Sequence, residues 1–492
     1  MLSDKFRRQL RQETSQWLEE GLIDTSQYNQ ISQRYEFDAL DVAARDRFVA
    51  IFIGLGSVLL GLGVITFVAA NWQDIPRLVR VILLLTLFIG VNVGGYFLWR
   101  QPVAAFNGRQ RWVHRLGEGL LLLGGLILGA NLALMGQIFH QSGSPSGLFL
   151  IWAIGVALTA YGLQLRSLSV LSILLMGIGY WLGVRDSWTL NEAFGANYIL
   201  QYMPLLSGVL FIPLAYWCRS RAVFVLGAIA VLTSLEMTIL DLEQIVEEIP
   251  GILLTLAVVL PAALFWSYDD AFWNWLFRRP PAQMEFRFRP AAQSLAIVHL
   301  AIATYLLSFR GFWTPPQEFI PFTTQMTALF QSGLPILLNL NLPLVMLLTL
   351  GQWFFQISPR HERGRWGLTS RDGMVLVFLV VAKLVISWHW SIAPIWAPAV
   401  YLFNVLLFLL ASALIREAIA QGERFRFWSG MLLLALQIFS RMLEYNTSLL
   451  FKSLVFALCG IGVIIIGLWF ERYVRSFASP QTANLSASEE PS

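Results

Sequence analysis

The chain has 492 residues, 57% of them hydrophobic and only 13% charged, with a mean hydropathy of +0.62. Soluble domains carry about 25% charged residues, so this balance excludes a soluble enzyme, a nucleic-acid binder and a disordered chain. The net charge of +4 does not point to nucleic acid either. The 31 Arg and 3 Lys are spread over short segments between apolar runs rather than gathered on one face.

Residues 1–47 are polar and the first apolar run starts at Phe48, so no cleavable leader is expected. Phe6, Leu10, Trp17 and Leu18 recur at helical spacing. Gly21 reads as the stop of that helix, and Asp24 or Thr25 as the cap of a second one carrying Tyr28, Ile31 and Tyr35. The segment is therefore expected to be a cytoplasmic helical hairpin, too small to bury a core of its own.

Apolar runs long enough to cross a bilayer follow at 48–70, 78–99, 116–139, 147–163, 167–184, 198–217, 221–240, 249–268, 291–309, 333–355, 373–388, 392–414, 427–444 and 449–470. The expected fold is all-α: a polytopic helical membrane protein of about fourteen spans. With the N-terminus inside, 27 of the 34 basic residues fall on the cytoplasmic side, six fall outside and Lys383 is mid-span. One miscounted helix would scramble that alternation, so both termini are placed in the cytoplasm of a bacterial inner membrane. The outer loops leave no room for a sizeable domain.

Glycine is uneven: residues 1–184 hold 22 of the 37. Pairs at GxxxG spacing (Gly90 and Gly94, Gly125 and Gly129, Gly179 and Gly183) predict close helix packing. The chain is accordingly divided into a Gly-rich bundle of about five helices over 48–184 and a second bundle of about nine over 185–472. The tail, 473–492, lacks apolar periodicity and is expected to be disordered. Pro204, Pro213, Pro261, Pro335, Pro343, Pro394 and Pro398 fall inside expected spans and suggest broken helices.

Ionisable groups inside a membrane are functional candidates by default. One set is Glu236, Lys383, His389, Arg441 and Glu444. A buried ammonium needs a carboxylate, and Glu236 is the partner expected for Lys383; a structural ion pair and a substrate or proton-relay site are both open. A transporter reading built on buried Glu236 and Lys383 predicts a cavity lined by both, and Lys383 facing lipid, or no midplane cavity wider than a water, would remove that support. A second set is Asn71, Trp72, Asp74, Asn131, Gln137 and His140, expected to meet at the outer face. Gln137 and His140 are i,i+3 on one helix face, and the set serves either helix-to-helix hydrogen bonding or a ligand or ion site. His299 reads as a packing histidine, with a relay as the alternative, and Glu118 as interfacial.

No HExxH, Walker loop or GxSxG in its strand-to-helix setting occurs, so no enzyme activity, cofactor or metal is expected. Cys218 and Cys459 both lie in apolar runs, as small hydrophobes. The expected partners are the bilayer and a membrane or periplasmic protein, with no nucleic acid.

The segments GLGVITFVAANWQDIPR (61–77) and LGEGLLLLGGLILGANLALMGQIFHQ (116–141), with the pattern WLEEGLID…Q…I..RYE (17–36), resemble the bacterial membrane family called domain of unknown function 2157. RMLEYNTSLLFKSLVFALCGIGVIIIGLWFER (441–472) is similar to the C-terminal region of that or a neighbouring uncharacterised family. The resemblance implies a multi-pass inner-membrane protein and supplies no catalytic residues. Two functions are compatible with these readings. One is a transporter or permease-like protein for a small or lipid-linked solute. The other is a non-catalytic scaffold, sensor or assembly factor acting through the N-terminal hairpin and the outer-face polar cluster.

Overall fold

The structure is a computed structural model. It describes residues 4–35, helical positions 52, 55, 56, 59, 60, 63 and 66, and residues 76–100, 108–140, 143–190, 198–245, 250–276, 287–313, 323–325, 327, 340–358 and 367–486. Every extended regular element among them is a helix, and none is a strand. By contacts the chain forms two compact units: Met1–Glu192 with Leu210–Leu226, and Ala193–Val209 with Gly227–Ser492.

Unit one opens with α1 (Asp4–Glu19) and α2 (Thr25–Tyr35), packed on each other. The turn between them follows from its residues. Gly21 takes φ +73°, its N–H donates to the Leu18 carbonyl at 3.2 Å, and the Leu22 N–H reaches Trp17 O at 2.8 Å. That pair of bonds closes the free carbonyls at the end of α1. Asp24 Oδ1 then accepts from the Gln27 N–H at 2.7 Å, and Gln27 Oε1 accepts from the Asp24 N–H at 3.0 Å. This reciprocal capping box starts α2.

The rest of unit one is built on α3 (Arg77–Arg100), α4 (Gly108–Ile138), α5 (Pro145–Leu163) and α6 (Arg166–Leu190). Glycine brings α3 and α4 together, at positions other than the expected pair. Gly90 and Gly94 face open space. Gly95 abuts Leu120 and Leu121 instead, and Gly117 sits where a Cβ would overlap the backbone of Trp99. The expected pair on α4 does pack: Gly125 meets Leu168 and Leu171, and Gly129 lies under the Trp152 ring. Trp152 Nε1 donates to Gly125 O at 2.7 Å. Between α5 and α6, Gly179 touches Leu150, and Ser172 Oγ donates to Ala153 O at 2.9 Å. The 210–226 segment joins through the Tyr161 hydroxyl, which donates to Leu210 O, and through Arg166 Nε, which donates to Cys218 O at 3.2 Å.

The helices α7 (Met203–Trp217) and α8 (Arg221–Ile245) carry the chain from one unit to the other. Unit two continues with α9 (Pro250–Trp266), the short α10 (Asp270–Leu276), α11 (Arg289–Leu307), α12 (Asn341–Ile357), α13 (Ser370–Ser391), α14 (Trp396–Gln421), α15 (Arg424–Glu444) and α16 (Leu449–Ser486). α9 packs on α11 and α13, α11 on α14, and α14 on α15. Trp313, Ile386, Ala399 and Phe403 form a buried core among them. Gly430 admits Ile415 to the α14–α15 contact, and Phe427 stacks on Phe470 of α16 at 3.8 Å.

Nine helices among the described residues are long and apolar enough to cross a membrane, and Met203–Trp217, Gly251–Trp266 and Asn341–Ile357 are shorter apolar helices. The expected span at 427–444 is a helix but is not among the nine. Most of the expected first span, 48–70, lies outside the described residues. α16 runs on to Ser486, into the segment expected to be disordered. Lengthening an existing helix fixes one residue per bond gained, far easier than nucleating one. Proline breaks fewer helices than expected. Pro213 and Pro261 lie inside theirs. Pro204, Pro343 and Pro398 occupy first turns, where the missing N–H has no intrahelical partner to lose.

Candidate functional site

The described ionisable candidates other than Lys383 and His140 fall into two groups, both in unit two. The first joins three helices. Glu236 of α8 and His299 of α11 approach with Oε1 to Nδ1 at 3.7 Å, an ion-pair distance longer than a hydrogen bond. The other ring nitrogen, Nε2, lies 3.2 Å from the carbonyl of Val258 in α9. A carbonyl only accepts, so Nε2 carries a hydrogen and Nδ1 is the nitrogen left to face the carboxylate. The two side chains can then share one transferable proton. On the carboxyl it gives a neutral pair, and on the imidazole an ion pair of zero net charge. Its departure leaves one net negative charge among apolar helices.

This pairing corrects the expected one. Lys383 is exposed on α13 and makes no ion pair among the described residues, whereas Glu236 pairs with His299. The reason is local: Lys383 neighbours the buried Ala382 on α13, but a helix turns about 100° per residue, and that step swings Lys383 to the outside. A long ammonium side chain on a lipid-facing surface can snorkel to the interface. The Val258 bond fits a hydrogen-bonded packing histidine, whereas nothing in sequence spacing links residues as distant as Glu236 and His299.

The second group gathers where α11 ends. Arg441 of α15 is buried; its Nη1 donates to Ser308 O at 2.6 Å and to Glu444. Glu444 also accepts the backbone N–H of Arg310 at 2.7 Å. Asn404 Nδ2 donates to the same Ser308 carbonyl at 3.1 Å, and Gln437 Nε2 to Asn404 O at 2.8 Å. The guanidinium of Arg441 lies over Phe309 at 4.2 Å, and that of Arg310 over Trp396 at 4.6 Å. His389 is buried nearby in the fold's core. Its Nδ1 accepts from the Ile395 N–H at 3.0 Å, and its ring stands perpendicular to Trp313 at 5.0 Å. His389 thereby pins the break between α13 and α14. Glu236 shares no hydrogen bond or ion pair with Arg441, Glu444 or His389 among the described residues.

The outer-face set does not assemble among the described residues. Asn131 is buried and donates from Nδ2 to Leu84 O at 3.3 Å, a helix-to-helix bond. Gln137 and His140 are both exposed. α4 ends at Ile138 and His140 takes φ +52°, so the i,i+3 relation expected of a continuing helix is lost. Asn71, Trp72 and Asp74 lie outside the described residues.

One buried polar cluster went unread in the sequence. Trp266 Nε1 donates to Asp372 Oδ1 at 3.1 Å, Ser267 Oγ to Gln352 Oε1 at 3.0 Å, and Gln356 Nε2 to Ser267 O at 3.0 Å. Asp270 accepts the N–H groups of Phe288 and Arg289 and so starts α11. These bonds tie together the ends of α9, α11, α12 and α13. The i,i+4 glutamines on α12, inside an otherwise apolar helix, were the signal.

Helices of this length and composition define a polytopic helical membrane protein. Residues 15–169 match the family described as predicted membrane protein (DUF2157), which supports the family resemblance carried by the N-terminal segments. It is also similar to the probable 4-amino-4-deoxy-L-arabinose-phosphoundecaprenol flippase subunit ArnE of Klebsiella pneumoniae (strain 342), with 31% identity over 87 residues. That stretch is 18% of this chain and 70% of the relative. No solved structure matches the chain.

Proposed function

We propose that this protein is a transporter-like membrane protein that moves a lipid-linked solute across the bacterial inner membrane, with both termini in the cytoplasm. The observation that carries the proposal is the Glu236–His299 pair, set inside two candidate spans. An ionisable pair in a membrane is expensive unless it is used. This one keeps zero net charge only while it holds its proton, so gain or loss of that proton is coupled to whatever else sits against α8, α9 and α11. The similarity to a flippase subunit supports a lipid-linked cargo, and the distribution of 27 of 34 basic residues supports the orientation. Lys383 has no part in the proposal.

The test uses the purified full chain in liposomes carrying an NBD-labelled polyprenyl phosphate, with dithionite reporting lipid that reaches the outer leaflet. Glu236→Gln is expected to lower the transfer rate at least about tenfold, the effect of about 1.4 kcal/mol. His299→Gln should do the same, and the double variant should be no slower than either, as expected of groups that act as one unit. Wild-type transfer by Glu236→Gln would remove the pair from the mechanism.

A further inference from the structure

Arg441 has one guanidinium nitrogen engaged and one edge empty. Its Nη1 is held by Ser308 O and Glu444, whereas Nε and Nη2 are buried and have no hydrogen-bond partner. Nε–H and one Nη2–H form a parallel fork, the edge that takes two oxygens of a carboxylate or phosphate together. Buried charged donors are costly to leave unmade, so an empty fork in a well-packed site is a place for a ligand. The plane of that fork is fixed by contacts the ligand does not need: Phe309 beneath it, and Asn404 and Gln437 on the shared Ser308 carbonyl and its neighbour.

Charge and surroundings narrow the ligand. Arg441 and Arg310 against Glu444 leave one net positive charge, and Glu444 is already occupied by Arg441 Nη1 and the Arg310 N–H. Leu443, Tyr445, Leu449, Leu450 and Trp396 are all exposed. Phe309 under Arg441 and Trp396 under Arg310 set aromatic rings beside the two guanidinium groups, as suits a charged head on an apolar body. Basic pockets between membrane helices bind phosphate headgroups in this way. The fork is closed to solvent, so entry requires the turn after α11 or that after α15 to open. Thr447 Oγ1, in the second of these turns, is also buried without a partner.

We infer that the Nε–Nη2 edge of Arg441 is a binding site for a phosphate oxyanion. The inference deepens the transport reading and rests on it only for the role of the bound group as cargo. A lipid headgroup and free phosphate share this chemistry, and the experiment separates them. The full chain is placed in phosphatidylcholine nanodiscs containing phosphatidic acid, and lipids retained on the protein are weighed by native mass spectrometry, with and without excess inorganic phosphate. Wild type should retain phosphatidic acid about tenfold over phosphatidylcholine. Arg441→Lys, which keeps the charge and loses the fork, should bring retention to the phosphatidylcholine level. Displacement by inorganic phosphate identifies free phosphate as the occupant, and persistence identifies a headgroup; both support the site. Equal retention of the two lipids by wild type overturns the inference whether or not the variant folds, and so does undiminished retention by a folded Arg441→Lys. Glu236→Gln should retain phosphatidic acid as wild type does, so failure of binding and failure of transport are separate results.

Discussion

Glu236 and Lys383 show how much one residue's position on a helix decides. Both are ionisable groups within expected spans, but only Glu236 turns toward neighbours that meet its chemistry. Lys383→Met should therefore leave phospholipid-vesicle transfer within about twofold of wild type, as for a surface substitution without partners. A loss as large as that of Glu236→Gln would restore Lys383 to the site. The sequence marked Glu236, Arg441, Glu444 and His389 because charge among apolar residues is conspicuous. It did not reveal their partners. His299, Ser308 and the Val258 carbonyl are brought near by tertiary packing, and two of these three contacts use backbone atoms, which have no sequence signature.

At the level of the element, close packing of α3 on α4 depends on which glycines lie at the contact. Spacing alone selected Gly90 and Gly94, but the contact runs through Gly95, Gly117 and Gly124. A GxxxG pattern identifies a smooth helix face and does not say whether a neighbour covers it. Gly117→Ala is expected to destabilise the purified protein by about 1–3 kcal/mol through overpacking against Trp99, read as a lowered thermal midpoint. Gly90→Ala should be neutral or slightly stabilising, because alanine favours the helix by about 0.5–1 kcal/mol and nothing opposes its methyl group. Helix ends were more legible. Gly21, Asp24 and Gln27 act through bonds within a few residues of themselves, so their roles could be read from the chain without knowledge of the fold.

For the whole molecule, composition was enough to establish a membrane protein, since so many long helices with exposed apolar side chains are stable in lipid rather than in water. α16 is the extreme case, with Leu450, Leu454, Leu458, Ile461 and Ile465 all exposed. The proposed orientation rests on the distribution of basic residues. A C-terminal green fluorescent protein fusion should fluoresce and a C-terminal alkaline phosphatase fusion should be inactive; the reverse pattern would place the C-terminus outside. The first unit takes in residues 210–226, where Tyr161 bonds to Leu210 O and Arg166 to Cys218 O, contacts that hydropathy alone does not mark. The proposed movement of a lipid-linked solute is read from the initial rate of NBD-labelled polyprenyl phosphate transfer. Liposomes containing the wild-type chain should expose inner-leaflet probe to dithionite at least about tenfold faster than protein-free liposomes. Equal rates in the two preparations would mean that the protein moves no such lipid.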